Sequence, residues 1–216
     1  MASSAKTAST ATNVDRNSGP AWTNLSNALT DDNNYAEITV TTADQESDWA
    51  VFTNWGFNIS PLATIDGVLF TYKAAASIWD REILADEFVL WDDGGTNTQY
   101  STISDTYWDP TLQTFTVGSP SDKWGTDILQ SPGITLDATT INSSGFGIGM
   151  YVKTGDVYGA SSFSGALYYV SLSVYHTING IRYNSTEVKD IRLGTTQVKN
   201  GFFGSNDLNT SELTLP

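Results

Sequence analysis

The chain has 216 residues and a formal net charge of −14 at pH 7, from 24 acidic and 10 basic side chains. This charge excludes a nucleic-acid groove, which needs clustered lysines and arginines to contact phosphates. Cysteine is absent, so disulfides, thiolate metal sites and a cysteine nucleophile are excluded. No run of about 18 apolar residues is present, so no membrane-spanning helix is predicted.

The first 19 residues, MASSAKTASTATNVDRNSG, are small and polar. They contain no apolar stretch like that of a secretory signal, and their side chains have little apolar area to bury. This segment, residues 1–19, is therefore predicted to be a flexible N-terminal arm that makes contacts with other proteins.

Residues 20–176 repeatedly alternate apolar and polar side chains, the period of two that indicates strands. Only the segment SIWDREILADE, residues 77–87, could pass for a helix, and it is too short and too irregular for one. Clusters such as DDNN and DDGGTN are typical of the turns between strands. Strands are predicted near residues 36–43, 49–58, 67–74, 86–91, 98–103, 111–117, 145–153 and 165–176.

The last two of these strands have the clearest patterns. Glycines alternate with apolar residues in 145–153, which leaves room there for another strand or subunit. About eight strands at this spacing predict an all-β fold, a two-sheet antiparallel β-sandwich that is jelly-roll-like, with an immunoglobulin-like arrangement as the alternative. The side chains predicted to face the core are Phe146, Ile148, Met150 and Val152 in the first strand, and Ala166, Tyr168, Val170, Leu172 and Val174 in the second.

Two polar segments, LTDDNNY (residues 29–35) and DDGGTNT (residues 92–98), offer clustered oxygen ligands for calcium, and the second is the first candidate. The segment DDGGTNT, residues 92–98, offers the oxygen ligands Asp92, Asp93 and Asn97, the kind that Ca²⁺ prefers. The same segment also suits a hairpin turn between two strands, and its spacing is not that of a helix–loop–helix calcium loop. Apart from this Ca²⁺ hypothesis, no cofactor is predicted.

Carboxylates around WDREILADE could form a glycosidase pair beside tryptophans that stack on sugars. A solvated insertion is the alternative, because an acid-rich chain brings carboxylates together by chance. The lone His176 has no cysteine or second histidine with which to bind zinc or form a catalytic pair. No catalytic residue is therefore assigned. The residues that the glycosidase hypothesis would use are Trp79, Asp80, Glu82, Asp86, Glu87 and Trp91.

After a linker at residues 177–180, the sequence repeats in steps of ten. IRYNSTEVKD (181–190) returns as IRLGTTQVKN (191–200), and GFFGSNDLNT is a degraded third copy. This C-terminal strip, residues 181–216, has four basic and four acidic side chains and is therefore neutral. It has too little apolar area to fold alone, so it either caps its own domain or pairs with strips of neighbouring subunits. The second hypothesis assigns the assembly contact to Ile181, Tyr183, Val188, Ile191, Leu193, Val198 and Phe203.

Three stretches resemble a β-sandwich module found in structural proteins of tailed bacteriophages. They are AWTNLSNALTDDNNYAEI, WGFNISPLATIDGVLFTYKA, and INSSGFGIGMYVK followed by LYYVSLSVYH. The resemblance covers residues 20–176 and departs at Ser60-Pro61-Leu62, where the module has an Ile-Pro-x-Gly turn. The ten-residue repeats resemble the short I-x-x-I-x-L-G-x-x-x-V elements that end phage virion and appendage proteins.

The resemblance implies a non-enzymatic virion structural protein, made in the host cytoplasm and displayed on the particle surface. A capsid decoration or auxiliary protein is preferred, attached to the major capsid protein through the arm and the C-terminal strip, and a tail or head-fibre component is the alternative. A homo-oligomer is expected, with a trimer favoured because the resembling appendage proteins are commonly threefold. The competing class is a carbohydrate-binding adhesin module that contacts host glycans, since a fold does not fix a function.

Overall fold

The computed structural model describes residues 1–42, 44–77, 83–91, 100–101, 106–124, 135–154 and 163–178, and the backbone of four two-residue strands between residues 182 and 197. The chain divides into two compact units, Met1–Ile178 and Asn179–Pro216. Within the described ranges, no helix has the length and apolar character needed to cross a membrane.

The described residues are dominated by strands. Two short helices are present, a 3₁₀ helix at Leu25–Leu29 and α1 at Ala138–Asn142. The strands in chain order are β1 (Ala2–Lys6), β2 (Thr10–Val14), β3 (Ala36–Val40), β4 (Trp49–Thr53), β5 (Ala63–Ala76), β6 (Ile83–Trp91), β7 (Tyr100–Ser101), β8 (Thr106–Tyr107), β9 (Gln113–Gly118), β10 (Gly147–Thr154), β11 (Phe163–Ile178), β12 (Arg182–Tyr183), β13 (Thr186–Glu187), β14 (Arg192–Leu193) and β15 (Thr196–Gln197).

In the first unit, the described strands form two antiparallel sheets. The five-stranded sheet has the order β9, β5, β11, with β1 and β3 both paired to the other edge of β11. The six-stranded sheet has the order β2, β4, β10, β6, with β7 and β8 on the far side of β6. From β3 to β6, and again from β9 to β11, successive strands alternate between the sheets. This is the connectivity of a jelly roll, so the predicted jelly-roll-like sandwich is confirmed.

The core lies between the two sheets and is rich in aromatic side chains. Among the largest fully buried side chains are Trp108, Trp124, Tyr72, Phe70 and Phe88. Burial of this much apolar area is the main source of stability for a sandwich without disulfides. The inward face predicted for β10 is confirmed, with exposures of 1% or less for Phe146, Ile148, Met150 and Val152.

The inward face of β11 changes parity partway along the strand. Leu167 pairs with Ala74, but Tyr169 pairs with Lys73, so Tyr168 is an extra residue in a β-bulge. The residues that point inward are therefore odd-numbered before the bulge and even-numbered after it. The predicted core face is confirmed for Val170, Leu172 and Val174, which are buried, and wrong for Ala166 and Tyr168, which are half-buried on the outer side.

The N-terminal segment belongs to the sandwich and is not a separate arm. β1 pairs with β11, and β2 pairs with β4, so residues 1–14 contribute one outer strand to each sheet. The side chains are small, as predicted, but strand pairing satisfies backbone groups and needs no large side chain. The compact unit also extends to Ile178, two residues past the predicted end at residue 176.

In the second unit, the sequence repeat has a matching backbone repeat. Arg182 pairs with Glu187 across β12 and β13, and Arg192 pairs with Gln197 across β14 and β15. The same antiparallel pairing therefore recurs after ten residues.

Candidate ligand-binding face

A glycine lies at the centre of the outer face of the six-stranded sheet. β10 lies between β4 and β6, and Gly149 is opposite Val51 on one side and Val89 on the other. Because Ile148 and Met150 point into the core, Gly149 points outward. A glycine at the centre of the face leaves space that a larger side chain would fill.

Two tryptophans and a tyrosine lie around Gly149. A Cβ atom at Gly149 would lie 3.0 Å from both Trp91 Cε3 and Val89 Cγ2, and 3.4 Å from Trp49 Cε3, so these side chains occupy the space beside this glycine. The Trp49 and Trp91 ring centroids are 6.3 Å apart at an interplanar angle of 59°. Trp49 also meets Tyr151 edge-on, at 4.9 Å and 89°. We call Trp49, Trp91 and Tyr151 the aromatic face.

Solvent reaches the aromatic face mainly through its two indoles. Trp49 and Trp91 are half-buried, whereas Tyr151 is only 3% exposed. An incoming ligand would therefore meet the indoles first, with Tyr151 supporting them from the side.

Arg16 reaches this cluster from the turn that follows β2. Its guanidinium carbon lies 3.5 Å from the ring centroid of Tyr151 and 5.3 Å from that of Trp49, positions at which a cation is attracted to an aromatic ring. The same guanidinium forms an ion pair with Glu46 and lies 3.9 Å from Glu87 Oε2. Arg16 thus connects the aromatic face to the carboxylates beside it. We call these carboxylates, Glu46, Asp86 and Glu87, the rim.

A second β-bulge places two carboxylates beside Tyr151. The register of β10 against β6 shifts after Tyr151, which leaves Asp86 as an extra residue next to Glu87. The Tyr151 hydroxyl donates a hydrogen bond to Asp86 Oδ2, and Lys153 Nζ lies 2.6 Å from Asp86 Oδ1. The rim therefore has carboxylate acceptors and two cations within one small area.

Burial changes the ionisation of two of these groups. Burial raises the pKa of the Tyr151 hydroxyl, and its hydrogen bond to Asp86 and the charge of that carboxylate raise it further. Burial also raises the pKa of Glu87 above its ordinary value of 4.5; the charge of Arg16 opposes this increase, and the charges of Asp86 and Glu46 add to it. Tyr151 therefore stays a neutral donor at physiological pH, and Glu87 accepts a proton more readily than an exposed glutamate.

The calcium hypothesis stays a prediction. Asp92, Asp93 and Asn97 lie outside the described residues. Within the part of the chain that is described, no group of three or more histidine, aspartate or glutamate side chains could hold a metal ion. His176 is 8% exposed and lies near the end of β11.

The glycosidase residues are only partly described. Trp79, Asp80 and Glu82 lie outside the described residues, whereas Asp86, Glu87 and Trp91 lie on β6 at the aromatic face.

The assembly contact of the C-terminal strip also stays a prediction. Tyr183 and Leu193 are described only as backbone, in β12 and β14. The other members lie outside the described residues: Ile181, Val188, Ile191, Val198 and Phe203.

Of the aromatic face, only Trp91 is among the candidate residues that the sequence alone indicates. Tyr151 lies two positions after Gly149, so the alternation in this strand does indicate that it points outward. Trp49 opens a predicted strand, but nothing local pairs it with Trp91. Arg16 lies in a segment that was expected to be flexible, and no sequence signal brings it to Tyr151.

No family model and no curated protein matches the chain. A solved structure described as "CBM4 structure and function", a carbohydrate-binding module, matches with a TM-score of 0.37 and 13% identity, covering 66% of this chain and 85% of that chain. At this degree of similarity, function has to be inferred from the side chains of this chain.

Proposed function

We propose that this chain is a non-catalytic module that binds a neutral glycan on its aromatic face. The observation that supports this proposal is the pair of half-buried indoles, Trp49 and Trp91, which lie beside Gly149 with their ring centroids 6.3 Å apart. A sugar ring has an apolar face of C–H groups that packs on aromatic rings, which are large contact surfaces with few rotatable bonds. Its hydroxyls pair with carboxylate acceptors and guanidinium donors, and both lie at the rim.

The charge of the site favours an uncharged sugar. The carboxylates Glu46, Asp86 and Glu87 outnumber the cations Arg16 and Lys153, and both cations already pair with these carboxylates. The whole chain has a net charge of −14, which repels an acidic polysaccharide at long range. An acidic sugar would also have to compete for cations that are already neutralised.

The same contacts favour binding over hydrolysis. Glycoside hydrolysis needs two carboxyl groups that flank the scissile bond, one of them able to give up a proton. Asp86 accepts a hydrogen bond from Tyr151 on Oδ2 and pairs with Lys153 through Oδ1, so both of its oxygens are already engaged. Glu46 and Glu87 share the cation Arg16, so these carboxylates too are engaged within the protein.

An array of neutral and acidic glycans tests this proposal. We expect the chain to bind a subset of neutral glycans, and Trp91→Ala to weaken that binding about tenfold or more, equivalent to about 1.4 kcal/mol. Tyr175→Ala is the matched control, because Tyr175 is a half-buried tyrosine of β11 in the other sheet. The proposal fails if no neutral glycan binds, or if Trp91→Ala binds as tightly as the unmodified chain.

A second proposal concerns where the module is displayed. We propose a bacteriophage virion structural protein, either a capsid decoration or auxiliary protein or a tail or head-fibre component. The recurring pairs β12–β13 and β14–β15 support it, because the edges of short repeated strands can pair between subunits. The two proposals are compatible, since a glycan-binding face on a particle protein would contact host glycans.

The solution mass of the chain tests the assembly that the second proposal implies. We expect a homo-oligomer, with a trimer favoured, that dissociates when Ile191→Asp and Val198→Asp place desolvated charges in the contact. The circular dichroism of the sandwich should not change. If the wild-type and variant chains are both monomers and the variant still binds particles normally, the strip only caps its own domain.

A further inference from the structure

The outer face of the five-stranded sheet has a second group of exposed aromatic side chains. The bulge in β11 leaves Tyr168 and Tyr169 side by side outside the core, both half-buried. Tyr35, just before β3, is 42% exposed and packs on Tyr168, with ring centroids 5.1 Å apart at 45°. The backbone carbonyl of Tyr35 accepts a hydrogen bond from Asn27 Nδ2 at 3.0 Å, which helps to hold this residue in place. A bulge commonly redirects a side chain for function, and nothing in the core uses Tyr168.

Tyr35 and Tyr168 border a surface depression of about 190 Å³. Sites for drug-sized ligands are roughly 300–1,000 Å³, so this depression has space for a single ring. Its lining combines small apolar side chains with polar ones: Ala75, Ala76, Ala166, Glu37, Ser77 and Ser164.

The polar groups at this depression can both donate and accept hydrogen bonds. The Ser77 hydroxyl oxygen accepts from the Ser164 N–H at 3.1 Å, and a serine hydroxyl that accepts can also donate its own hydrogen. The Ser164 and Thr39 hydroxyl oxygens are 3.2 Å apart, so one of them donates to the other. Glu37 adds a carboxylate acceptor. Flat aromatic surface beside hydroxyl and carboxylate groups is again a surface suited to a sugar.

We infer that this depression is a second carbohydrate site, which takes one neutral sugar ring from the end or a side branch of a glycan. The inference rests on the proposed function, because both sites are assigned the same class of ligand. A neutral sugar is favoured over an acidic one, since Glu37 lines the depression and the net charge of the chain is −14. The two sites lie on the outer faces of different sheets, so one molecule can hold two glycan strands at once.

Affinity electrophoresis of the full chain in gels containing a soluble glucan, mannan or galactan tests this inference. We compare the unmodified chain with Trp49→Ala/Trp91→Ala, with Tyr35→Ala/Tyr168→Ala, and with the Tyr175→Ala control. Ala166→Arg fills the depression and keeps both tyrosines, so it tests the site even if loss of the tyrosines disturbs folding. We expect each double variant to lose part of the retardation, Ala166→Arg to match Tyr35→Ala/Tyr168→Ala, and the combined quadruple variant to lose all of it.

The outcomes separate the two sites. If the tryptophan variant loses all retardation while Ala166→Arg migrates like the unmodified chain, the second site is overturned and the proposed function stands. If Ala166→Arg loses retardation while the tryptophan variant does not, the second site is supported and the aromatic face is overturned. If the unmodified chain is not retarded by any of the three polysaccharides, both are overturned for these sugars.

Discussion

The guanidinium carbon of Arg16 lies 3.5 Å from the centre of the Tyr151 ring. This contact joins the N-terminal segment to the central strand of the six-stranded sheet, because Arg16 follows β2 and Tyr151 belongs to β10. The segment is thus held by strand pairing and also by one long side chain that reaches the aromatic face. Its ion pair with Glu46 links the same contact to the rim that we propose binds glycan hydroxyls.

Replacing Arg16 with methionine should destabilise the sandwich. The variant keeps much of the apolar stem but loses the cation–ring contact and leaves Glu46 and Glu87 without their cation. We expect the free energy of unfolding to fall by about 1–2 kcal/mol, measured from urea unfolding. Lys6→Met is the control, since Lys6 is an exposed cation of the same segment. Equal unfolding midpoints for the two variants would show that the ring contacts and ion pairs of Arg16 add nothing to the stability of the sandwich.

Replacing Glu87 with glutamine should stabilise the protein in a pH-dependent way. The pKa of Glu87 is raised above its ordinary value of 4.5 in the folded state, so the folded protein binds this proton more tightly than the unfolded chain does. Its contribution to stability is therefore most favourable below the unfolded pKa and is lost as the pH rises through the folded pKa. We expect Glu87→Gln to raise the urea midpoint at neutral pH and to leave it unchanged near pH 3. A lower midpoint at neutral pH would mean that the attraction to Arg16 outweighs burial.

The bulge in β11 predicts losses of stability of unequal size for two neighbouring residues. Leu167 is fully buried, so Leu167→Ala should cost about 2–5 kcal/mol. Tyr168 lies on the outer side and packs on Tyr35, so Tyr168→Ala should cost only about 0.5–1.5 kcal/mol. Chemical denaturation of the two variants measures the difference. A larger loss of stability for Tyr168→Ala would mean that Tyr168 faces the core, as the sequence predicts, and that β11 has no bulge there.

Deleting residues 1–14 should weaken the sandwich rather than leave it intact. The deletion removes β1 and β2, whose backbone groups pair with β11 and β4. We expect a loss of at least about 2 kcal/mol, which corresponds to a fall in Tm of about 4–8 °C for a domain of this size. Deleting residues 1–6 should have a smaller effect, because it removes β1 alone. An unchanged Tm for the longer deletion would support the flexible arm.

The strands were predictable from the sequence because alternation is a local property. Phe146 and Val170 were placed in the core by counting positions along one strand. The positions of Tyr168 and Asp86 were not predictable, since a bulge depends on how a strand registers with its partner. β1 and β2 were missed because their small polar side chains form no apolar face. The aromatic face was missed for a related reason: its members meet only through pairing between distant strands.

Contact between a glycan and the aromatic face is tested most directly by the indole N–H signals in NMR. The chain has seven tryptophans, which single tryptophan-to-phenylalanine variants would assign. A neutral oligosaccharide that binds on the array should shift the Trp49 and Trp91 signals along one common binding curve. The internal reference is the set of buried core tryptophans, Trp22, Trp55, Trp108 and Trp124, whose signals should hardly move. Unchanged Trp49 and Trp91 signals at saturating oligosaccharide would contradict the proposed binding face.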